Sequence, residues 1–478
     1  MEKAKIKIGF APTREFAFSK EEAQRYKRLT YEKISQLDAE VVDIDDINSE
    51  GLLYDFNDIE KITRKFHDMS VDGVFFPHVN FGTEHLVARA AKEIKKPVLI
   101  WGPRDEAPLE NGYRSRDSQC GLFATGKVLR RFNIPFTYIV NSRVDDIVFE
   151  RGYRNFTAVC SVVNAFKKIR ILQIAPRPSD FWSVICNEGE LLEKFGIQTF
   201  PITLQDIASG VLRILKEKTK EYKTSLEYLL SAIDCTSISR ESAEKIAALK
   251  TLMMEYCQRE KCNAVIIQCW TALQETLGIM PCISNGLLTE EGIPVICESD
   301  LHGAISSVMI QEAAMSKTPV FFTDLTNRHP NNDNAELLWH CGNFPVSLAK
   351  EGVKMKASSH LYIPPYCDGT GEWEIKGGDI TICRFDGDHG EYSMLIAEGR
   401  GVEGPKTIGT YVWFEVKDWP KWEEKIVTGP YIHHCAGVHG KVAPVLYEAC
   451  KYIPGLKADP FEPTEEEIRK WLRGADNI

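Results

Sequence analysis

Two carboxylates and a group of histidines carry the chemistry open to this sequence. Glu298 lies in VICESD and Asp324 in FFTDLTN, each closing an apolar run, 294–297 and 319–322. A helical pattern (Leu301, Ile305, Met309, Ala313) separates them. The spacing predicts strand, helix, strand, with parallel strands that bring both acids to one edge of a sheet. Two carboxylates at adjacent strand ends can hold a divalent metal, act as acid and base, or do both. Each could instead cap a helix or lie solvated in a loop. Further along come His340 in LLWHCGN, then His433, His434 and His439 in TGPYIHHCAGVHG. The histidine pair sits near Gly and Pro, as in a turn, where a ring can reach outward. One such ring joining Glu298 and Asp324 would give two carboxylates and an imidazole, a set that suits Mn²⁺ or Mg²⁺. Zinc prefers more nitrogen or sulfur.

The elements that must position these groups follow an α/β rhythm. Over residues 1–166, strands are expected at 6–11, 39–44, 73–77, 97–101 and 136–139, with helices between them. That alternation predicts a parallel sheet covered by helices, with ligands at the carboxyl ends of its strands. The loops there carry Arg14, Asn80, Phe81, Arg104, Arg114 and Arg116, groups suited to a hydroxylated or anionic ligand. A second α/β set, 167–350, is expected to hold strands at 170–174, 198–202 and 264–268 and a helix at 181–195, followed by the unit with the two acids. Gln268 and Trp270 then share the acids' edge, and the loop after 174 carries Arg177. Over 351–478 alternation replaces helical periodicity (361–363, 378–385, 392–399, 409–416), which predicts an antiparallel sheet or small barrel with closing helices.

The chain has 478 residues, enough for several domains. Its net charge of −10 argues against nucleic acid as a partner. It has no apolar run long enough to span a membrane, and its first residues read as a strand, not a signal peptide. No G-x-G-x-x-G follows a strand in the first α/β set, and no P-loop is present. The 14 cysteines form no C-x-x-C and read as buried thiols of a cytoplasmic protein.

The acid pair, the LLWHCGN box, the run DITICRFDGDHGEYSMLIAEGRGVEGP and the His433–His434 pair together resemble the L-fucose/L-arabinose isomerase superfamily, nearest its fucose-isomerase-like branch. The resemblance implies two Rossmann-like domains followed by a β-barrel-like C-terminal domain. It implies aldose–ketose isomerisation of a monosaccharide with Mn²⁺, or with Mg²⁺ or Co²⁺. It also implies a homo-oligomer, hexamer or trimer, with sites shared between subunits. On that basis Glu298 and Asp324 are metal ligands and the two bases of a cis-enediol proton transfer. His434 is the third ligand, with His433 as its competitor. Arg14, Asn80, Phe81, Gln268, Trp270 and His340 contact substrate. The branch includes isomerases of sulfonated hexoses such as sulfoquinovose, which the loop arginines could recognise; these arginines could equally pair with nearby acids. A non-catalytic sugar-binding protein and a metal-dependent aldolase or dehydratase are the competing expectations.

Overall fold

A computed structural model describes residues 5–474. The chain divides into two compact units. The first comprises residues up to Asn164, together with Glu448–Pro454 and the chain from Glu465 onward. Its sheet contains β1 (Lys7–Phe10), β2 (Glu40–Val42), β3 (Gly73–Pro77), β4 (Val98–Trp101) and β5 (Thr137–Tyr138) in the order β2-β1-β3-β4-β5, every pair parallel. Both β3 and β4 are wholly buried, as expected for parallel strands covered on both faces. The helix Ile147–Phe166, which the sequence pattern did not resolve, begins within this unit. Tyr452, from a late segment, donates its hydroxyl to the Val98 carbonyl at 2.9 Å.

The second unit, Ala165–Tyr447 with Gly455–Thr464, holds two sheets. The smaller is parallel: β6 (Arg170–Ile174), β7 (Gln198–Ile202), β8 (Ala264–Ile267) and β9 (Val295–Ile296), in the order β7-β6-β8-β9. The larger contains β10 (Phe321–Arg328), β11 (Ala335–His340), β12 (Lys356–Ser359), β13 (Asp368–Glu374), β14 (Gly378–Asp388), β15 (Glu391–Val402), β16 (Thr410–Glu415), β17 (His434–His439) and β18 (Leu456–Glu462). Six of these strands close on themselves. The path β16-β11-β10-β17-β14-β15 returns to β16 through antiparallel pairs throughout, forming a barrel with no free edge among the six. Two parallel-sheet α/β layers followed by an antiparallel barrel is the architecture expected from the sequence.

Several local expectations are corrected. The run ending in Asp324 is no parallel neighbour of β9. It belongs to β10, which pairs antiparallel with β11 and β17. The connection His329–Asn334 is rich in Pro, Asn and Asp, and such a turn makes the local hairpin the nearest pairing available. His434 is not in a turn but opens β17. The stretch 361–363 is not a strand, since Pro364 and Pro365 follow it and lack ladder donors. Residues 181–195 hold a 3-10 turn, Trp182–Val184, and an α-helix only over Glu188–Phe195. The helices Leu204–Glu217 and Lys220–Ala232 went unassigned in the sequence.

The helix Leu301–Ala313 joins the two sheets. All its residues are buried, and its apolar side chains go all the way round because it packs on β8 and β9 on one side and on β10, β14 and β17 on the other. Asp300 caps it, accepting from the Gly303 N–H at 3.0 Å. A Cβ on Gly303 would stand 2.6 Å from the Phe322 ring, so glycine is what lets this helix lie close against β10. Among the described residues no helix is long and apolar enough to cross a membrane.

Candidate active site

Glu298 follows β9 in a single 3-10 turn, Cys297–Ser299. Both Glu298 (φ 56°) and Ser299 (φ 53°) adopt left-handed backbone, which disfavours residues with a Cβ by about 1–2 kcal/mol each. The turn takes the carboxylate out of the line of the strand and leaves Asp300 to cap the next helix. Glu298 is buried. Its Oε1 accepts from Trp270 Nε1 at 3.2 Å and from the Cys269 thiol at 3.3 Å. Its Oε2 has no hydrogen-bond partner.

The barrel brings three further groups to this carboxylate. Asp324 on β10 lies in register with His434 on β17 and with Trp339 on β11. His434 Nε2 is 3.5 Å from Asp324 Oδ1. His340, the last residue of β11, places Nε2 3.7 Å from Glu298 Oε2 and 4.0 Å from Asp324 Oδ1. Glu298 Oε2, Asp324 Oδ1 and His340 Nε2 are all buried without a hydrogen-bond partner among the described residues. Buried polar atoms are otherwise almost always paired, so three orphans facing one another mark a place built for something else.

The two buried histidines are set in opposite tautomers by their outer partners. His434 Nδ1 lies 2.9 Å from Asp300 Oδ2, and Arg384 grips both oxygens of that aspartate. A carboxylate can only accept, so Nδ1 of His434 carries a proton, and Nε2, facing Asp324, is the nitrogen left to bind an ion when the ring is neutral. His340 is the reverse. Its Nδ1 accepts the backbone N–H of Cys341 at 2.8 Å, so Nε2 carries the proton and donates. His434 therefore has the form of a metal ligand held by a carboxylate, and His340 that of a donor to an oxygen. The ligand atoms of His433 also come within 4.8 Å of Asp324 and His434, but His433 is less buried.

Burial opposes charge on Glu298, yet the flanking His340 and His434 outweigh it and hold the carboxyl well below its ordinary range. Asp300, fully buried, is kept ionised against burial by Arg384 and His434. Arg384, also fully buried, donates through Nε to Asp386 at 2.7 Å, and Asp386 meets His302 Nδ1 at 2.9 Å. A buried chain of hydrogen-bonded groups, His302–Asp386–Arg384–Asp300–His434, thus anchors His434.

The donor set fits a divalent metal. Asp324 Oδ1 and His434 Nε2 stand 3.5 Å apart, with the His433 ring within reach of both, and Glu298 faces Asp324 across His340; carboxylates with imidazole suit an oxygen-preferring ion such as Mn²⁺. A cavity of about 390 Å³ opens beside them, its walls including Phe181, Trp270, Glu298, Trp339, His360 and Tyr362. That volume falls within the range of roughly 300–1,000 Å³ usual for small-molecule sites. Indole and phenol faces beside carboxylates suit a ring or chain bearing both C–H and O–H groups.

Of the residues singled out in the sequence, Glu298, Asp324, His340, His434 and Trp270 come together here. Gln268 stands one residue past β8 at the same end, but is not among the residues lining the cavity. Arg14, Asn80 and Phe81 belong to the first unit. There Arg14 is clamped by Glu50 at 2.7 and 3.0 Å and lies over the Tyr54 ring. Asn80 is fully buried, bonded to both the N–H and the carbonyl of Glu15. Phe81 stacks on Phe18 with centroids 5.5 Å apart. Of the other loop arginines, Arg114 pairs with Asp117 and Arg116 with Glu106. Arg177 has only the carbonyls of Pro178 and Ser179 as described partners.

Sequence reasoning missed Asp300, Arg384, Asp386, Phe181 and His360. The signal for Arg384 was present: Ile380, Ile382, Arg384 and Asp386 occupy one side of β14, and charges in an otherwise apolar inward series demand buried partners.

Residues 9–167 match the N-terminal domain of fucose/sulfoquinovose isomerase, and residues 338–455 match the C-terminal domain of L-fucose isomerase. A sulfoquinovose isomerase of Priestia megaterium is 27% identical over 382 residues, covering 79% of this chain and 83% of that one. One from Alkalicoccus urumqiensis is 27% identical over 351 residues, covering 72% and 76%. One from Clostridium sp. is 22% identical over 393 residues, covering 80% and 85%. A solved sugar-transport substrate-binding protein from Bordetella parapertussis aligns at a TM-score of 0.14 and 11% identity over 69% of this chain and 86% of that one, too distant to carry an inference. This chain belongs to the L-fucose isomerase-like superfamily.

Proposed function

We propose that this protein is a metal-dependent aldose–ketose isomerase acting on a sulfonated hexose of the sulfoquinovose type. The observation that carries the reading is the set of three orphaned, mutually facing atoms of Glu298, Asp324 and His340 beside an aromatic-walled cavity. The 27% identical sulfoquinovose isomerases point to the substrate class.

Glu298, Asp324 and His434 would hold the ion, Mn²⁺ by preference of the donor set, with Mg²⁺ or Co²⁺ as substitutes. When bound, it supplies Lewis acidity toward the hydroxyl and carbonyl oxygens at C1 and C2. The chain's own residues move the protons. One of the two carboxylates, Glu298 or Asp324, takes the C2 proton of the open-chain aldose as the C1=O electrons move onto oxygen. O1 takes up a proton as O2 gives one up, and the carboxylate returns its proton to C1 on the same face of the cis-enediol, so that C2 becomes the ketose carbonyl. His340 Nε2–H donates to the oxygen on which charge develops. Trp270, held by its indole N–H on Glu298, keeps that carboxylate aimed and walls the cavity. Arg177 takes the sulfonate. Its loop, which also brings Phe181 to the cavity, gives the guanidinium no carboxylate among the described residues. Arg14 and Phe81 would contact substrate in the site of a neighbouring copy, in a trimer or hexamer, while Asn80, buried and bonded to the Glu15 backbone, holds their loops in place and does not touch substrate.

The test is incubation of Mn²⁺-loaded protein with sulfoquinovose and a panel of neutral aldoses, read for ketose of unchanged mass. Sulfoquinovose should be converted, EDTA should stop conversion, and Arg177→Met should raise KM for the sulfonated sugar far more than for a neutral one. Cleavage or dehydration products, or binding without turnover, would overturn the reading.

A further inference from the structure

Two buried thiols adjoin Glu298 and are not used by the proposed isomerisation. Cys297 precedes Glu298 directly, and Cys269 precedes Trp270. They are 0% and 3% exposed, and neither is among the residues lining the sugar cavity. Their sulfurs and a carboxylate oxygen of Glu298 all lie within 4.8 Å of one another. Cys269 Sγ is 3.3 Å from Glu298 Oε1. Cys297 Sγ is faced by two buried amides, Asn285 Nδ2 at 3.5 Å and Asn343 Nδ2 at 3.6 Å. Both asparagines leave their Oδ1 atoms buried without a partner. Two amides directing donors at one sulfur, at the expense of their own oxygens, form the surroundings of an anionic sulfur. N–H donors to sulfur are what surrounds thiolates that bind metal.

We propose that Cys269, Cys297 and Glu298 form a site for a thiophilic divalent cation, Zn²⁺ or Cd²⁺, separate from the oxygen-rich set. Two thiolates and one carboxylate oxygen select soft or borderline ions over Mn²⁺. Binding exchanges the two S–H protons for the ion and needs no oxidant or reductant. Glu298 belongs to both sets: Oε1 faces Cys269 and Trp270, while Oε2 faces His340. A cation on Oε1 drains charge from the carboxylate, so filling the thiol site weakens Glu298 as a base and suppresses turnover. Only this antagonism rests on the isomerase reading; the cation site does not.

Metal-free protein is titrated with Cd²⁺, and the ultraviolet thiolate-to-cadmium absorption is followed in the wild type and in Cys269→Ser, Cys297→Ser and Cys341→Ser. The wild type should show one equivalent per chain with this absorption. Cys269→Ser and Cys297→Ser should each lose it. Cys341→Ser should keep it, because that sulfur faces His360 Nε2 at 3.3 Å instead. No such equivalent in the wild type, or its survival in either of the first two variants, overturns the site. X-ray absorption of wild-type protein with one equivalent of Zn²⁺ needs no variant to fold. Two sulfur neighbours are expected at about 2.3 Å, and a shell of nitrogen and oxygen alone refutes the site. One equivalent of Cd²⁺ should also abolish isomerisation of the sugar. Cadmium–thiolate absorption with full turnover would overturn the antagonism. A protein that isomerises no sugar but shows the absorption would fail the proposed function and keep the site.

Discussion

In the first unit, the loops that follow β1 and β3 close on themselves. Arg14 is neutralised by Glu50, and Thr13 donates to the Leu53 carbonyl at 2.9 Å. Asn80 accepts from Glu15 and Phe81 and returns its amide to the Glu15 carbonyl. In the second unit, the turn after β9 does the opposite. Glu298 keeps one oxygen unpaired while Asp324 and His340 arrive from the barrel with unpaired atoms of their own. Both sheets are parallel, so the difference does not come from the strands. It comes from what covers the carboxyl edge. Loops can rearrange until their polar atoms are paired, whereas rigid barrel strands hold side chains where register puts them. A cluster of unpaired buried groups survives only where the scaffold is stiff enough to prevent collapse.

The largest expected effect is at the unpaired cluster itself. Glu298→Gln and Asp324→Asn should each lower kcat on the sugar by about 10³-fold, the scale of losing a general base. Steady-state kinetics on folded, Mn²⁺-loaded variants checks this, and activity within tenfold of wild type would remove the contrast between the two edges. Arg384→Met comes next. It strands Asp300 and Asp386 as buried carboxylates, which should cost about 3–5 kcal/mol of stability. Mn²⁺ affinity should also fall by about 10- to 100-fold as His434 loses its anchor. Urea unfolding and Mn²⁺ titration read the two effects separately.

Glu336 sharpens the comparison with a buried acid that is neutral rather than paired. Burial raises its pKa to about 8, and Trp422 Nε1, donating at 2.7 Å, only partly offsets this. Its folded pKa lies above its unfolded one. The stability tied to it is therefore complete below about pH 4.5 and is lost as pH rises toward 8. Glu336→Gln should thus be more stable than wild type at pH 9 by on the order of 3 kcal/mol, with no such gain at pH 4. Unfolding midpoints at the two pH values decide it. The smallest effect belongs to the closed edge: Arg14→Ala should lower stability by about 1–2 kcal/mol and raise KM modestly without changing kcat, as expected of a substrate contact in a neighbouring site.

Much of the fold and part of the site were legible in the sequence. The run GVFFP is continuous and apolar because its strand is covered on both faces, RILQI keeps Ile171, Leu172 and Ile174 buried, and both strands were found where they lie. Glu298 and Asp324 stood out because an acid closing an apolar run is costly unless it has work to do. Their route to each other was misread. Periodicity marks an extended segment, but it does not say which sheet the segment joins, and the hairpin of β10 with β11 carried Asp324 into the barrel. The His433–His434 pair was visible, but their division of labour was not. That depends on Asp300, 134 positions away from His434 in the chain.

The sequence alone determined which groups are present and which segments are buried, because burial and strand or helix period are local properties of composition and spacing. Only the tertiary structure decided which nitrogen of each histidine bears a proton, which oxygen of Glu298 is left unpaired, and which thiols lie beside it. Those outcomes depend on pairs of atoms within about 4 Å, brought together by barrel closure and by one wholly buried helix between two sheets, and no local pattern encodes such distances.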